Sequence, residues 1–426
     1  MAESRNVIIA GAGIGGLTAA LALSRAGFRV TILEQAPQLE EVGAGIQLTP
    51  NATRVLTELG LADQLKITLV EPQAVRVMSG SSAREIVRIP LGTFAEKRYG
   101  APYWVIHRGD LQRVLADAVR TNPDITLRLG TRVEDFATRR HGVSIKARFA
   151  GQIVEEQGIA LIGADGVWSA VRERLRWRGS EPKFQHKTAW RALVPANSLD
   201  APWREPVVHL WLGMDSHLVH YPVKGGALIN IVAIVDDEWR ETGWSASGEP
   251  DEVLRRFARW SWHDKARAII GTPQRWQKWA LFERGGPRGG SGVVTLLGDA
   301  AHPMLPFLAQ GGGMAIEDAA VLAASLAQYA ERPARGLRAY EKARRKRTAK
   351  VQALARTQGR IYGMSGPEAL IRNLVMRAKG GERLLQRLDW LYQWTPPPFE
   401  FTERYVTQVG EDDGEDDGDV SNHGRR

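Results

Sequence analysis

The strongest constraint on this chain sits at its start, where the run Asn6-Val-Ile-Ile-Ala10 leads directly into Gly11-Ala-Gly13-Ile-Gly15-Gly16. A buried strand that breaks into GxGxxG and continues as an apolar segment of helical period is the opening of a βαβ unit. Residues 15–26 read as the helix, Gly27 as its stop, and residues 29–33 as the second strand. The chemistry asks for glycine at three places. Gly11 permits the tight turn, Gly13 lets the backbone approach a pyrophosphate, and Gly16 lets helix and strand pack closely. The helix N-terminus then offers amides and a positive dipole end to phosphate. Glu34 follows Gly11 by 23 residues, at the end of the second strand, where a carboxylate accepts hydrogen bonds from ribose hydroxyls. Gln35, beside it, joins the candidate cofactor contacts. The pattern predicts a dinucleotide site and does not distinguish NAD from FAD.

With 426 residues, the chain has room for two or three lobes, each able to bury a core. The absence of cysteine excludes a disulfide scaffold, a thiolate zinc site, a cysteine-ligated iron–sulfur cluster and a catalytic thiol. Formal charge is +9, but residues 410–426 hold seven acids against two arginines; removing those five net negatives leaves the body at +14. A basic body suits an anionic substrate or a dinucleotide, and no nucleic-acid-binding motif accompanies the charge, so nucleic acid is not an expected partner. Residues 6–24 are uncharged, yet their glycines break them into strand, turn and helix, unlike a signal peptide or a membrane span. The expectation is a cytoplasmic protein, monomer or homodimer, with no membrane span.

Further along, residues 47–65 read as a loop followed by a helix from Pro50-Asn51, residues 110–120 as a helix, and residues 143–149 as a strand. The middle changes character. Residues 207–212, 217–223, 227–235 and 276–282 read as short strands, punctuated by Gly213 and Gly225-Gly226. A strand at residues 292–297 returns to the first lobe, followed by a glycine loop and a helix from about Met314. The basic stretch at residues 342–350 reads as the solvated face of a helix. Residues 390–399, rich in aromatics and proline, are expected to pack a terminal edge, and the acidic tail beyond residue 400 to be disordered. The fold class is therefore α/β: a Rossmann-like dinucleotide lobe, an inserted, mostly antiparallel β-sheet lobe for substrate, and a C-terminal helical segment. The first lobe takes residues 1–180 and 286–400 and the inserted lobe residues 181–285, with a contribution from about residues 70–105.

Two later motifs narrow the cofactor. Leu161-Ile-Gly-Ala-Asp165-Gly places an aspartate after an apolar strand, and Leu296-Leu-Gly298-Asp299-Ala-Ala-His302-Pro303 does so again, leading into Gln310-Gly-Gly312-Gly313. Together with the N-terminal glycines, these resemble, in order and spacing, the three motifs of the single-component FAD-dependent aromatic hydroxylases. Arg88-Ile-Pro-Leu-Gly-Thr-Phe and Ile106-His-Arg108-Gly-Asp-Leu resemble the salicylate hydroxylase and 6-hydroxynicotinate 3-monooxygenase branch. The resemblance implies that Arg108 contacts the flavin, Asp299 binds its ribityl–pyrophosphate region, and Asp165 supports both flavin and pyridine nucleotide. A surface salt bridge is the plain alternative for Arg108. Gly312 and Gly313 stand where a helix N-terminus stabilises negative charge on a reduced ring.

In a strand, His217 and Tyr221 share a face. This His-x-x-x-Tyr pair resembles the substrate-activating pair of the hydroxybenzoate and hydroxynicotinate branches. The implied reaction consumes NADH or NADPH and O2. A flavin C4a-hydroperoxide is attacked by an electron-rich ring, and decarboxylation accompanies hydroxylation when the carboxylate sits on the attacked carbon. Removing the phenolic proton activates the ring, so a base poised near neutrality helps. His217 is the first candidate base, Tyr221 a positioner or relay, and His302 a third catalytic candidate beside the flavin. Gln47 stands in the loop where hydroxynicotinate enzymes carry histidine; it can hydrogen-bond substrate but cannot act as a base.

No metal is expected, because His217 and His220 point to opposite faces of a strand. Trp260-Ser-Trp262 resembles the Trp-x-Trp of flavin halogenases, but His263-Asp264 follows it, and core packing in a helix-like stretch is the reading adopted. The sequence thus points to an FAD-dependent monooxygenase of a small aromatic acid, a hydroxybenzoate or hydroxypyridine carboxylate. Two alternatives stay open: a flavoenzyme of the same fold acting on a quinolone or polyketide or by epoxidation, and a flavin-binding redox sensor without turnover.

Overall fold

The computed structural model describes residues 5–39, 44–140, 142–175, 181–241, 243–258, 262–285 and 289–399. The strand Asn6–Ala10 is the centre of a five-stranded parallel sheet in the order Val294–Leu296, Ala160–Gly163, Asn6–Ala10, Arg29–Leu33, Ile125–Arg128. Both faces are covered, which is why these strands read as unbroken apolar runs. Val7 and Ile9 pack with Leu17, Leu111 and Ile316 of the helices Ile14–Arg25, Arg108–Thr121 and Gly311–Gln328. Ile8 and Ala10 point the other way, to Val133, Ile145 and Ala147 of a three-stranded antiparallel sheet. Each fully buried aliphatic side chain contributes about 1.5–3 kcal/mol. At Gly16 the helix crosses so close to the turn that a Cβ would lie 2.0 Å from the Gly11 carbonyl oxygen.

A second, eight-stranded sheet runs in the order Ser245–Gly248, Trp276–Arg284, Pro182–Pro195, Leu228–Asp236, Ser216–Val223, Val208–Gly213, Ala74–Ser79, Glu85–Pro90. Every pairing is antiparallel except Val208–Gly213 with Ala74–Ser79. One face carries Trp190, Trp211, Leu218 and Trp276, sealed by Val253, Phe257 and Ile269 of two helices, Pro250–Ala258 and Asp264–Gly271. Trp262 packs in this cluster, outside any helix, while Trp260 falls outside the described residues, as does the acidic tail. The opposite face is turned toward the parallel sheet. It is roofed by the helices Pro333–Tyr362 and Gly366–Gln386.

Three local expectations are corrected. The residues around Gln47 are not loop but a strand, Gly45–Leu48, paired with Trp104–His107. The glycines 311–313 are not a loop before a helix; they form the first turn of the helix Gly311–Gln328, with Gln310 at the position before it. The basic stretch lies within the 30-residue helix Pro333–Tyr362, and Arg344 is buried rather than solvated. Apolar packing of that helix face forces the arginine inward, and two carboxylates on the neighbouring helix meet it there. Among the described residues no helix is long and apolar enough to cross a membrane.

Candidate active site

A cavity of about 1220 Å³ runs from the glycine turn of the parallel sheet to the open face of the eight-stranded sheet. At its first end Glu34 braces the turn: Oε2 accepts from the Ala12 amide at 2.6 Å and Oε1 from the Ala36 amide at 2.8 Å. Gly13 lines this end, and a Cβ there would meet nothing within 4 Å, so its backbone is open to a ligand. Arg108, Gly166, Asp299, Gly311 and Gly312 complete the wall, bringing the first turn of an 18-residue helix to the cavity. Burial raises the Asp299 carboxyl above its usual range, against the pull of Arg108 and His302.

Gly11, Gly16, Glu34, Gln35, Asp165 and Gly313 are not part of this wall; the two glycines shape the turn and Glu34 holds it through the Ala12 and Ala36 amides. Burial raises the Asp165 carboxyl too; its Oδ2 accepts from the Val171 amide at 3.1 Å, tying the strand end to the next helix. Gln35 is exposed, and Gly313 faces Gln310 and Asn51 inside the fold.

At the second end, His217 and Tyr221 stand on the same strand and both line the cavity. The His217 ring is held between Phe307 and Tyr362, with ring centroids at 5.4 and 5.2 Å. Burial, aided by Lys187, pushes its pKa down to about 3. In the free protein His217 is therefore neutral and a weaker base than one poised near neutrality. Desolvation raises the Tyr221 phenol, so it is a hydrogen-bonding group and not a phenolate at neutral pH. Gln47 sits between two phenols: Tyr103 Oη donates to Gln47 Oε1 at 2.6 Å, and Gln47 also hydrogen-bonds Tyr221. His220 points away, stacked at 4.5 Å on His209 across the strand pair.

Arg191 escaped the sequence reading. It lies mid-strand in Pro182–Pro195, lines the cavity, and stacks its guanidinium 5.1 Å from the Trp279 ring centroid. Burial, with Arg108 nearby, lowers its pKa to about 10. Among the described residues its Nε has no hydrogen-bond partner and no carboxylate pairs with it. A partly desolvated cation without a counter-ion carries a cost that a bound anion would offset. The available signal was a lone charge in the apolar run Thr188-Ala-Trp-Arg-Ala-Leu-Val.

His302 is not at the cavity. Its Nε2 lies 2.6 Å from Asp318 Oδ2, and the same oxygen accepts from the Gly298 amide at 3.0 Å. Arg344 donates from Nε to Asp318 at 2.6 Å and from Nη1 to Glu317 at 2.7 Å; Arg347 donates twice more to Glu317, and Asn51 once. Despite burial, which opposes it, His302 and Arg344 hold the Asp318 carboxyl well below the usual range. This network lies behind the Gly298-Asp299 turn and ties it to the helix Gly311–Gln328.

The profile of a family described as the FAD binding domain matches residues 4–355. The chain belongs to this family of flavoprotein monooxygenases. One similar member is 3-hydroxybenzoate 6-hydroxylase 1 of Aquipseudomonas alcaligenes, 37% identical over 389 residues and covering 91% of this chain and 97% of its own. A 3-amino-4-hydroxybenzoate 2-monooxygenase of Streptomyces platensis is 37% identical over 398 residues, covering 92% and 96%. Among solved structures, a substrate complex of salicylate hydroxylase superposes with TM-score 0.78 at 26% identity, covering 93% of this chain and 97% of that one. As a flavoprotein monooxygenase, the chain uses FAD with NAD(P)H as co-substrate. Its own residues fit that cofactor: an open glycine backbone at Gly13, a helix N-terminus at Gly311 and Gly312, and the pair Arg108 and Asp299 share one wall.

Proposed function

We propose that this protein hydroxylates a small aromatic acid of the 3-hydroxybenzoate type. The observation that carries the reading is Arg191, partly buried and without a carboxylate partner among the described residues, in the same cavity as His217, Tyr221 and Gln47. That set matches an anionic ring bearing a phenol, and relatives sharing about a third of their residues with this chain act on hydroxybenzoates.

Gly13, Arg108, Asp299, Gly311 and Gly312 would hold the FAD. When bound, the FAD would supply the redox chemistry: two electrons from NAD(P)H, one oxygen atom of O2 to the ring and the other to water. The remaining work falls to this chain's side chains. Arg191 supplies the charge that an aromatic carboxylate or phenolate needs in a dry site. Tyr221 and Gln47 hold the phenol through hydrogen bonds. His217 accepts the phenolic proton at one ring nitrogen. An anion bound beside it opposes the field set by Lys187 and shifts its pKa upward, against the desolvation that chiefly lowers it. The helices Pro333–Tyr362 and Gly366–Gln386, which roof the open face carrying these residues, limit water there. Because reduced pyridine nucleotide is consumed, we assign the protein to the cytoplasm.

The test follows NADH and NADPH oxidation by the FAD-loaded protein with 3-hydroxybenzoate, 3-amino-4-hydroxybenzoate, salicylate, 4-hydroxybenzoate and 6-hydroxynicotinate. Chromatography then identifies the products, including carbon dioxide release. The expected result is stimulation by 3-hydroxybenzoate with stoichiometric dihydroxybenzoate. Silence across the panel would refute the reading. His217→Ala should keep its flavin and lose at least about a hundredfold in hydroxylation rate.

A further inference from the structure

The cavity does not end at His217 and Tyr221. It continues as an arm between the eight-stranded sheet and the helices Pro333–Tyr362 and Gly366–Gln386. The inner wall of the arm is apolar, with Val375, Met376 and Leu384 facing it. Its ionisable lining is one-sided: Lys350, Arg372, Lys379 and Arg387 against the single acid Glu368.

Two of these cations are occupied. Arg372 donates to the carbonyls of Ile361, Tyr362 and Met364, which pins the second helix to the end of the first. Lys350 Nζ lies 3.7 Å above the Trp390 ring. Lys379 and Arg387 are at least partly exposed and form no ion pair among the described residues. They flank a kink, because Gly380 breaks the helix with φ 71° and ψ 163°. A passage with low-dielectric walls and charges of one sign focuses the field along its axis and raises the encounter rate of an oppositely charged ligand.

We propose that this arm is the route by which the anionic aromatic acid reaches the buried site, with Lys379 and Arg387 steering it in at the rim. The proposal rests on the aromatic-acid reading above. It assigns the two residues a role in the rate of arrival, not in the chemistry or in holding the bound acid.

The test is stopped-flow mixing of the FAD-loaded protein with 3-hydroxybenzoate, followed by the flavin absorbance change. The uncharged 3-hydroxybenzyl alcohol serves as comparison. For the wild-type protein, the association rate of the acid should fall about tenfold between roughly 10 mM and 500 mM salt, while that of the alcohol stays flat. The double variant K379E/R387E should bind the acid about tenfold more slowly at low salt, converge with wild type at high salt, and keep its dissociation rate. The milder K379Q/R387Q, which reverses no charge, should fall between the two. Equal salt dependence in wild type and variants, or an equal loss for acid and alcohol, would overturn the steering role while leaving the hydroxylase reading intact. If no aromatic acid perturbs the flavin at any salt concentration, the hydroxylase reading fails and the route falls with it.

Discussion

Replacing Arg344 by methionine tests the network that backs the Gly298-Asp299 turn. The guanidinium is buried, donates to Asp318 at 2.6 Å and to Glu317 at 2.7 Å, and is raised by both carboxylates despite desolvation. Removing one partner of a buried ion pair costs about 3–5 kcal/mol, because the charge left behind stays desolvated. Here neither carboxylate is wholly abandoned: Arg347 still holds Glu317 and His302 still faces Asp318. The expected loss is therefore at the lower end, about 3 kcal/mol. Unfolding entropy near about 2.1 cal/mol/K per residue over roughly 400 residues converts this to a fall in Tm of about 4 °C. Calorimetry of the FAD-loaded protein reads it directly. Adding Asp318→Asn to Arg344→Met should recover part of the loss, since the uncompensated charge is its cause. A Tm within about 1 °C of wild type for Arg344→Met, or no recovery in the double variant, would refute the argument.

Gly45→Ala places a Cβ 2.5 Å from a Tyr221 ring carbon and 2.8 Å from its hydroxyl, inside a packed wall. It should weaken binding of the aromatic acid by about tenfold or more through displacement of Tyr221, with flavin content unchanged, as a flavin absorbance titration would show. Arg191→Met should raise the dissociation constant of the acid by about a hundredfold and leave that of a neutral phenol nearly unchanged; equal losses for the two would remove Arg191 from anion recognition. A third expectation concerns pH. His209 and His217 are both lowered to about 3, chiefly by burial, and His220 is lowered well below its usual value for the same reason. The unfolded chain then binds more protons than the folded one below about pH 6.5, so each histidine withdraws stability as pH falls from there toward 3, by about 1.4 kcal/mol per pH unit. The raised carboxyls of Asp165, Asp299 and Glu341 act in the opposite sense. The clean readout is therefore a difference: the variant His209→Phe, His220→Phe should lose less stability than wild type between pH 7 and pH 5 in urea denaturation, and an identical slope would count against the assignment.

Reading the chain in one dimension carried furthest where chemistry is local. The turn at residues 11–16 needs glycine for reasons confined to one strand–helix crossing, so the parallel sheet could be expected from residues 6–34 alone. Strand parity did the same for His217 and Tyr221, because alternation is a property of the backbone and both side chains do face the cavity. Distance in the chain defeated the rest. Arg191 becomes a cavity-facing charge only once the strand Pro182–Pro195 lies beside Leu228–Asp236 and opposite the parallel sheet. Arg344 looked like one more solvated cation in a basic helix, and His302 like a catalytic neighbour of the flavin. Burial decided both, by bringing Glu317 and Asp318 from the adjacent helix into contact with them. Periodicity and turn chemistry report what a segment does with its own backbone; which charges lose their water, and which carboxylate compensates them, is set only when distant segments pack.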